Sequence, residues 1–147
     1  MPAEENIQLM KRWYQQVWNE KSDQTIHDLF APDAVAWGTT DAPIRGPVEF
    51  VSFVQQIRTA FPDINITVED AFASGDKVVA RWSATMTHSG PGMGPATGNK
   101  VQLTGMSIAR FRDGQIVEGW DNWDQLGMLE QIGAYQRPST AMLEKSA

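Results

Sequence analysis

The chain changes period at Pro62, and that change limits what it can fold into. Before it, apolar residues recur at helical spacing. After it come four alternating runs, Ile64 to Ala73, Lys77 to His88, Val101 to Arg112 and Gln115 to Trp123. Such runs bury one face of a strand and leave the other free. The last two are separated only by Asp113-Gly114. Both central positions of a type I′ turn need positive φ, so this dipeptide predicts an antiparallel hairpin. Gly75-Asp76 and a Gly-Pro loop divide the other runs, and together the four predict a meander of long strands.

The first half supplies helices to cover that sheet. Ile7, Met10, Tyr14, Val17 and Trp18 predict an amphipathic helix over residues 4–19. Ser22 or Asp23 caps a short second helix that turns Ile26, Leu29 and Phe30 inward, and Pro32 stops it. Asp33 to Gly38 reads as a short strand and residues 39–46 as a loop. Pro47 then opens a third helix in its favoured first turn, with Phe50, Val54, Ile57 and Phe61 as the buried stripe. A last helix spans residues 124–133. The expected architecture is a single α+β domain over residues 1–136, with helices on one face of a curved antiparallel sheet, a pocket between them and a polar tail over 137–147.

A chain of 147 residues buries roughly 70% of its unfolded surface, enough for a core without staples. The absence of cysteine excludes disulfides, thiol nucleophiles and iron–sulfur clusters, and points to the cytoplasm. Two histidines, His27 and His88, argue against a multi-His metal site, and no other cofactor motif stands out. The net charge of −6 includes no basic run, which speaks against nucleic acid and anionic membranes. The N-terminus lacks the pattern of a secretory signal. No apolar run approaches the roughly 20 residues that span a bilayer. A neutral or apolar small molecule is the expected partner. Apolar residues left on the far sheet face, Ile116 and Trp120 among them, predict a homodimer.

The segment I-V-E-G-W-D-N-W-D, residues 116–124, sets three acids and an amide among two tryptophans. An acid against indole loses hydration, which raises its pKa toward the range useful for proton transfer. Alternation groups Val117, Gly119, Asp121 and Trp123 on one face and Ile116, Glu118, Trp120 and Asn122 on the other. Asp121, facing inward beside a glycine that leaves room for a ligand, is the candidate general acid/base; its plainer role is to accept hydrogen bonds from a neighbouring loop. Asp124 suits an N-cap, with pocket entry as the alternative.

His88 precedes S-G-P-G-M-G-P, a loop suited to a pocket rim. It is the candidate hydrogen-bond donor to a developing enolate, against a surface-loop reading. His27 reads as the polar edge of a helix. Arg81 either pairs with an acid such as Glu69, Asp121 or Asp124 or anchors a carbonyl-bearing substrate. Tyr14, Trp18, Trp37, Phe53, Met106, Asn122 and Trp123 complete the candidate substrate-binding set, each weighed against a place in the core.

The order of elements, with I-R-G-P at 44–47, T-H-S-G at 87–90, A-T-G-N-K-V at 96–101 and R-F-R-D-G-Q-I-V-E-G-W-D at 110–121, resembles the SnoaL-like polyketide cyclase or ester cyclase family. The resemblance covers roughly residues 6–133. It implies the cone-shaped α+β barrel of the nuclear transport factor 2-like superfamily, which includes ketosteroid isomerase and scytalone dehydratase. It also implies cofactor-independent chemistry, with an acid on the last strand closing a ring by intramolecular aldol reaction. Asp121 best matches that acid. Members often carry a histidine on the strand before the Asp-Gly hairpin, where this chain has Ser107, Ile108 and Ala109, and another at the end of the first strand, where it has Trp37. The fold also hosts isomerases, dehydratases, epoxide hydrolases and binding domains without chemistry. A raised Asp121 pKa separates catalysis from binding alone.

Overall fold

The computed structural model describes residues 2–138. Helix α1 (Ala3–Trp13) carries Glu4 and Glu5 in its first turn and Lys11 and Arg12 in its last, matching the helix dipole at both ends. The expected single helix over 4–19 then changes register. Tyr14–Asn19 form a π-helical turn, closed by Glu20 N–H donating to the Gln15 carbonyl at 3.0 Å. Two neighbours fix this turn. Arg58 donates to the Val17 carbonyl at 2.5 Å, and Asn19 exchanges hydrogen bonds with both backbone groups of Ile66 at 2.6 and 2.8 Å. Such turns are frequent at functional sites. This one carries Tyr14 and Trp18 inward.

Helix α2 (Asp23–Leu29) is capped by Ser22, whose hydroxyl accepts from Thr25 N–H, while Asp23 pairs instead with Arg58. Strand β1 (Phe30–Trp37) starts before Pro32 and not after it. The expected loop contains a two-residue strand, β2 (Ile44–Arg45), and α3 (Gly46–Ala60) has Pro47 in its first turn. Strands β3 (Asn65–Ser74), β4 (Lys77–Thr87), β5 (Lys100–Arg112) and β6 (Gln115–Trp123) follow, then α4 (Gln125–Gln131). Asp113 and Gly114 have φ of 50° and 79°, the positive pair that the hairpin reading requires.

The strands form one sheet in the order β2-β1-β6-β5-β4-β3. The meander is antiparallel throughout, and β1 joins it parallel to β6. The helices lie on the inner face, where an aromatic cluster of Trp13, Phe30, Phe50, Phe53 and Trp18 packs at centroid distances of 5.0 to 6.1 Å. No helix among the described residues is long and apolar enough to cross a membrane. The expected C-terminal tail lies, from residue 139 onward, outside the described residues.

One irregularity changes the reading of β6. Arg110 pairs with Glu118 but Phe111 pairs with Ile116, so Val117 is an extra residue, a β-bulge. Strict alternation places Ile116 on the outer face. The structure corrects this, because the bulge turns Ile116 inward and leaves both Ile116 and Val117 buried.

Candidate functional site

Asp121 sits on the inner face of β6, directly opposite Ser107 of β5. One carboxylate oxygen accepts a very short hydrogen bond from the Ser107 hydroxyl, and the other accepts from the Thr39 hydroxyl at 2.9 Å. Ser107 in turn accepts from the Trp82 indole N–H at 3.1 Å, so indole, hydroxyl and carboxyl form a polarised chain. Thr39 reaches Asp121 because Gly38, at φ +80°, turns the chain against β6. A Cβ on Gly38 would collide with the Asp121 carbonyl.

No cation among the described residues forms an ion pair with Asp121. Burial raises its pKa, and the bonds from Ser107 and Thr39 pull the other way without cancelling that effect. Burial also raises the Tyr14 pKa, the Asp121 charge adds to the rise, and hydrogen bonding with Ser107 and Trp82 offsets it in part. Tyr14 therefore remains a hydrogen-bond donor across the working pH range.

Asp121 and Tyr14 line a space between helices and sheet. Its walls are otherwise almost wholly apolar, built from Trp18, Phe53, Trp82, Leu103, Trp123 and Met128 among others. The polar groups gather at one end, where Thr39, Tyr14 and Asp121 meet. This is the form of a small-molecule site, an apolar body with a few placed polar groups. Among the described residues no cluster of three or more His, Asp or Glu side chains could hold a metal ion.

The structure thus brings together Asp121, Tyr14, Trp18, Phe53 and Trp123 from the sequence-derived set, and it places the others elsewhere. His88 is fully buried, stacked 5.3 Å from Phe61, with Nδ1 bonded to the Thr97 hydroxyl at 3.1 Å and Nε2 donating to the Gly92 carbonyl at 2.8 Å. Both nitrogens fasten its own loop and the ring does not line the space, which corrects its expected place at the pocket rim. Trp37, 39% exposed, donates to Glu118 at 3.1 Å on the outer face. Met106, 58% exposed, Arg81 and Asn122 also face outward and line an open outer groove. Arg81 forms none of the ion pairs among the described residues. Asp124 caps α4, accepting from Gly127 N–H at 2.9 Å, and its residue borders the same outer groove.

The residues missed from sequence are Thr39, Ser107, Trp82 and Met128. Ser107 carried a signal, since Val101, Leu103, Ala109 and Phe111 share its parity and are all buried. Thr39 carried none, because a loop contact across 82 residues leaves no periodic trace.

The family model described as SnoaL-like polyketide cyclase matches residues 8–132. Among solved structures, AclR from Streptomyces galilaeus, a candidate hydroxylase, superimposes with a TM-score of 0.85 at 28% identity, covering 99% of this chain and 96% of that one. IdmH from Streptomyces antibioticus, a candidate polyketide cyclase, gives 0.76 at 36% identity over 87% and 98%. A SnoaL-like protein from Jannaschia sp. CCS1 shares the fold, with a TM-score of 0.83 at 21% identity over 91% and 95%. No curated protein matches the chain.

Proposed function

We propose, for a chain that belongs to the SnoaL-like polyketide cyclase family, a cofactor-independent general acid/base reaction on an apolar, polycyclic carbonyl compound, most simply an intramolecular aldol cyclisation. The observation that carries this reading is Asp121, a carboxyl without a cation partner among the described residues, at the polar end of an aromatic space. In the proposed step the Asp121 carboxylate takes a proton from the carbon next to a substrate carbonyl. The electron pair of that C–H bond moves into an enolate, whose oxygen accepts a hydrogen bond from Tyr14. The enolate carbon bonds to a second carbonyl carbon of the same molecule, and the resulting alkoxide recovers the proton from Asp121. Every atom of the substrate is retained. A raised pKa suits both halves of the cycle, since the carboxylate is a stronger base and the acid is still formed near neutral pH.

Asp121→Asn keeps the size of the side chain and removes the base. Loss of general acid/base catalysis lowers turnover by about 10²- to 10⁴-fold. A substrate series of polycyclic diketones, assayed for cyclised product, measures this; undiminished turnover in the variant would remove Asp121 from the chemistry.

A second copy of the chain is the further partner we infer. Trp37, Trp120, Ile108, Val79 and Phe72 form one apolar row across five strands of the outer face, with Phe72 58% exposed. A homodimer covering that row is expected in the cytoplasm, and sedimentation equilibrium that finds only monomer at every concentration would exclude it.

A further inference from the structure

Beside the Asp121 row the inner face carries a second row that stands apart from the rest of the core. Ala36, Gly119 and Ala109 lie side by side on β1, β6 and β5, paired through Gly119. All three are small, and they face the rings of Trp13, Phe30 and Phe50. They line a second, smaller space together with Met10 and Trp13 of α1, Phe30 of β1 and the Ser107 and Asp121 side chains. Close-packed interiors retain few voids, and a side chain at Gly119 would project into this one. A Cβ there meets only the Ile108 carbonyl oxygen at 3.8 Å, an ordinary contact, on a backbone without positive φ. The two spaces share part of their walls. Tyr14, only 5% exposed, lines both. Asp121, Trp13 and Phe50 likewise border both.

We propose that the inner space is a subsite for a short alkyl substituent on the substrate, with Gly119 as its specificity-determining residue, while the ring system occupies the larger aromatic space and the reacting carbonyl lies at the boundary beside Tyr14 and Asp121. The proposal rests on the reading of the larger space as the seat of an apolar carbonyl compound. The row itself offers hydrogen and methyl groups only, and the Ser107 and Asp121 side chains beside it are already bonded to each other, to Trp82 and to Thr39, so the row recognises hydrocarbon by fit and dehydration and disfavours charged or hydroxylated tails, whose polar groups would lose water without a free partner. Size selection comes from Gly119, whose missing side chain is the room itself.

The test uses the full chain and naphthalene probes bearing acetyl, propanoyl and butanoyl groups, with binding read by calorimetry. Affinity of the unaltered protein is expected to rise by about fourfold per added methylene. Gly119→Val brings the butanoyl-to-acetyl affinity ratio close to one, and Gly119→Ala, the milder variant, lowers it part of the way. A ratio near one in the unaltered protein, with all three ketones still bound, overturns the inner subsite and leaves the larger site standing. An undiminished ratio in both variants also overturns it, because the alkyl group then lies elsewhere. Failure of every probe to bind overturns the apolar carbonyl reading, and the subsite with it.

Discussion

Asp121 and Glu118 stand three residues apart on β6 and differ in almost every physical respect. Glu118 faces outward, accepts from the Trp37 indole and pairs with Arg110 at 3.4 Å, both side chains about one-third exposed. Asp121 faces inward, takes its bonds from two hydroxyls and forms no ion pair among the described residues. Burial without a counter-ion pushes Asp121 toward its neutral form. Two carboxylates of one strand thereby become a surface ion pair and a candidate acid/base, and face alone separates them.

Removing the hydroxyl that supports Asp121 breaks the comparison most sharply. Ser107→Ala takes away a donor that lowers the Asp121 pKa, so the pH at which activity rises moves upward. It also leaves the Trp82 N–H unpaired, at a cost of about 1–3 kcal/mol in thermal or denaturant unfolding. A pH–rate profile unchanged in Ser107→Ala would mean that the serine does not tune the acid. On the other face, Glu118→Gln removes a pair about one-third exposed and costs about 0–1 kcal/mol, with the pH profile of turnover unaltered. A large kinetic effect of Glu118→Gln would erase the distinction between the faces.

The pH dependence of stability follows from the direction of the shift. A carboxyl whose pKa is higher in the folded than in the unfolded chain contributes stability below its unfolded value, and that contribution is lost as pH rises through the folded value. Asp121 therefore opposes folding at neutral pH, and Asp121→Asn relieves that opposition. Asp63 runs the other way. Burial raises its pKa, but the backbone and side-chain bonds from Thr87, both 2.7 Å, outweigh burial and leave it lowered. Its contribution is present above the unfolded value and fades as pH falls through the folded one.

Much of this was legible in the sequence, because strand alternation and turn chemistry are local. The four long strands start and end within one residue of their expected bounds, and Asp113-Gly114 sets the hairpin. What escaped depends on events that a period cannot record. The Val117 bulge shifts the pairing, so Ser107 and not Met106 comes opposite Asp121 and Ile116 turns inward. The π turn depends on Arg58 and Ile66, far along the chain. Thr39 arrives through a glycine-shaped loop, and His88 is consumed by its own loop. Parity could place Asp121 on a face, but only tertiary contacts could supply its partners.

The most direct test of the account is the titration of the Asp121 carboxyl itself, followed by carbon NMR and assigned by its absence in Asp121→Asn. The account predicts a midpoint above the ordinary aspartate value of about 3.9, rising further in Ser107→Ala. A midpoint at or below that value would mean that hydrogen bonding outweighs burial, and would contradict the assignment of Asp121 as a general acid/base.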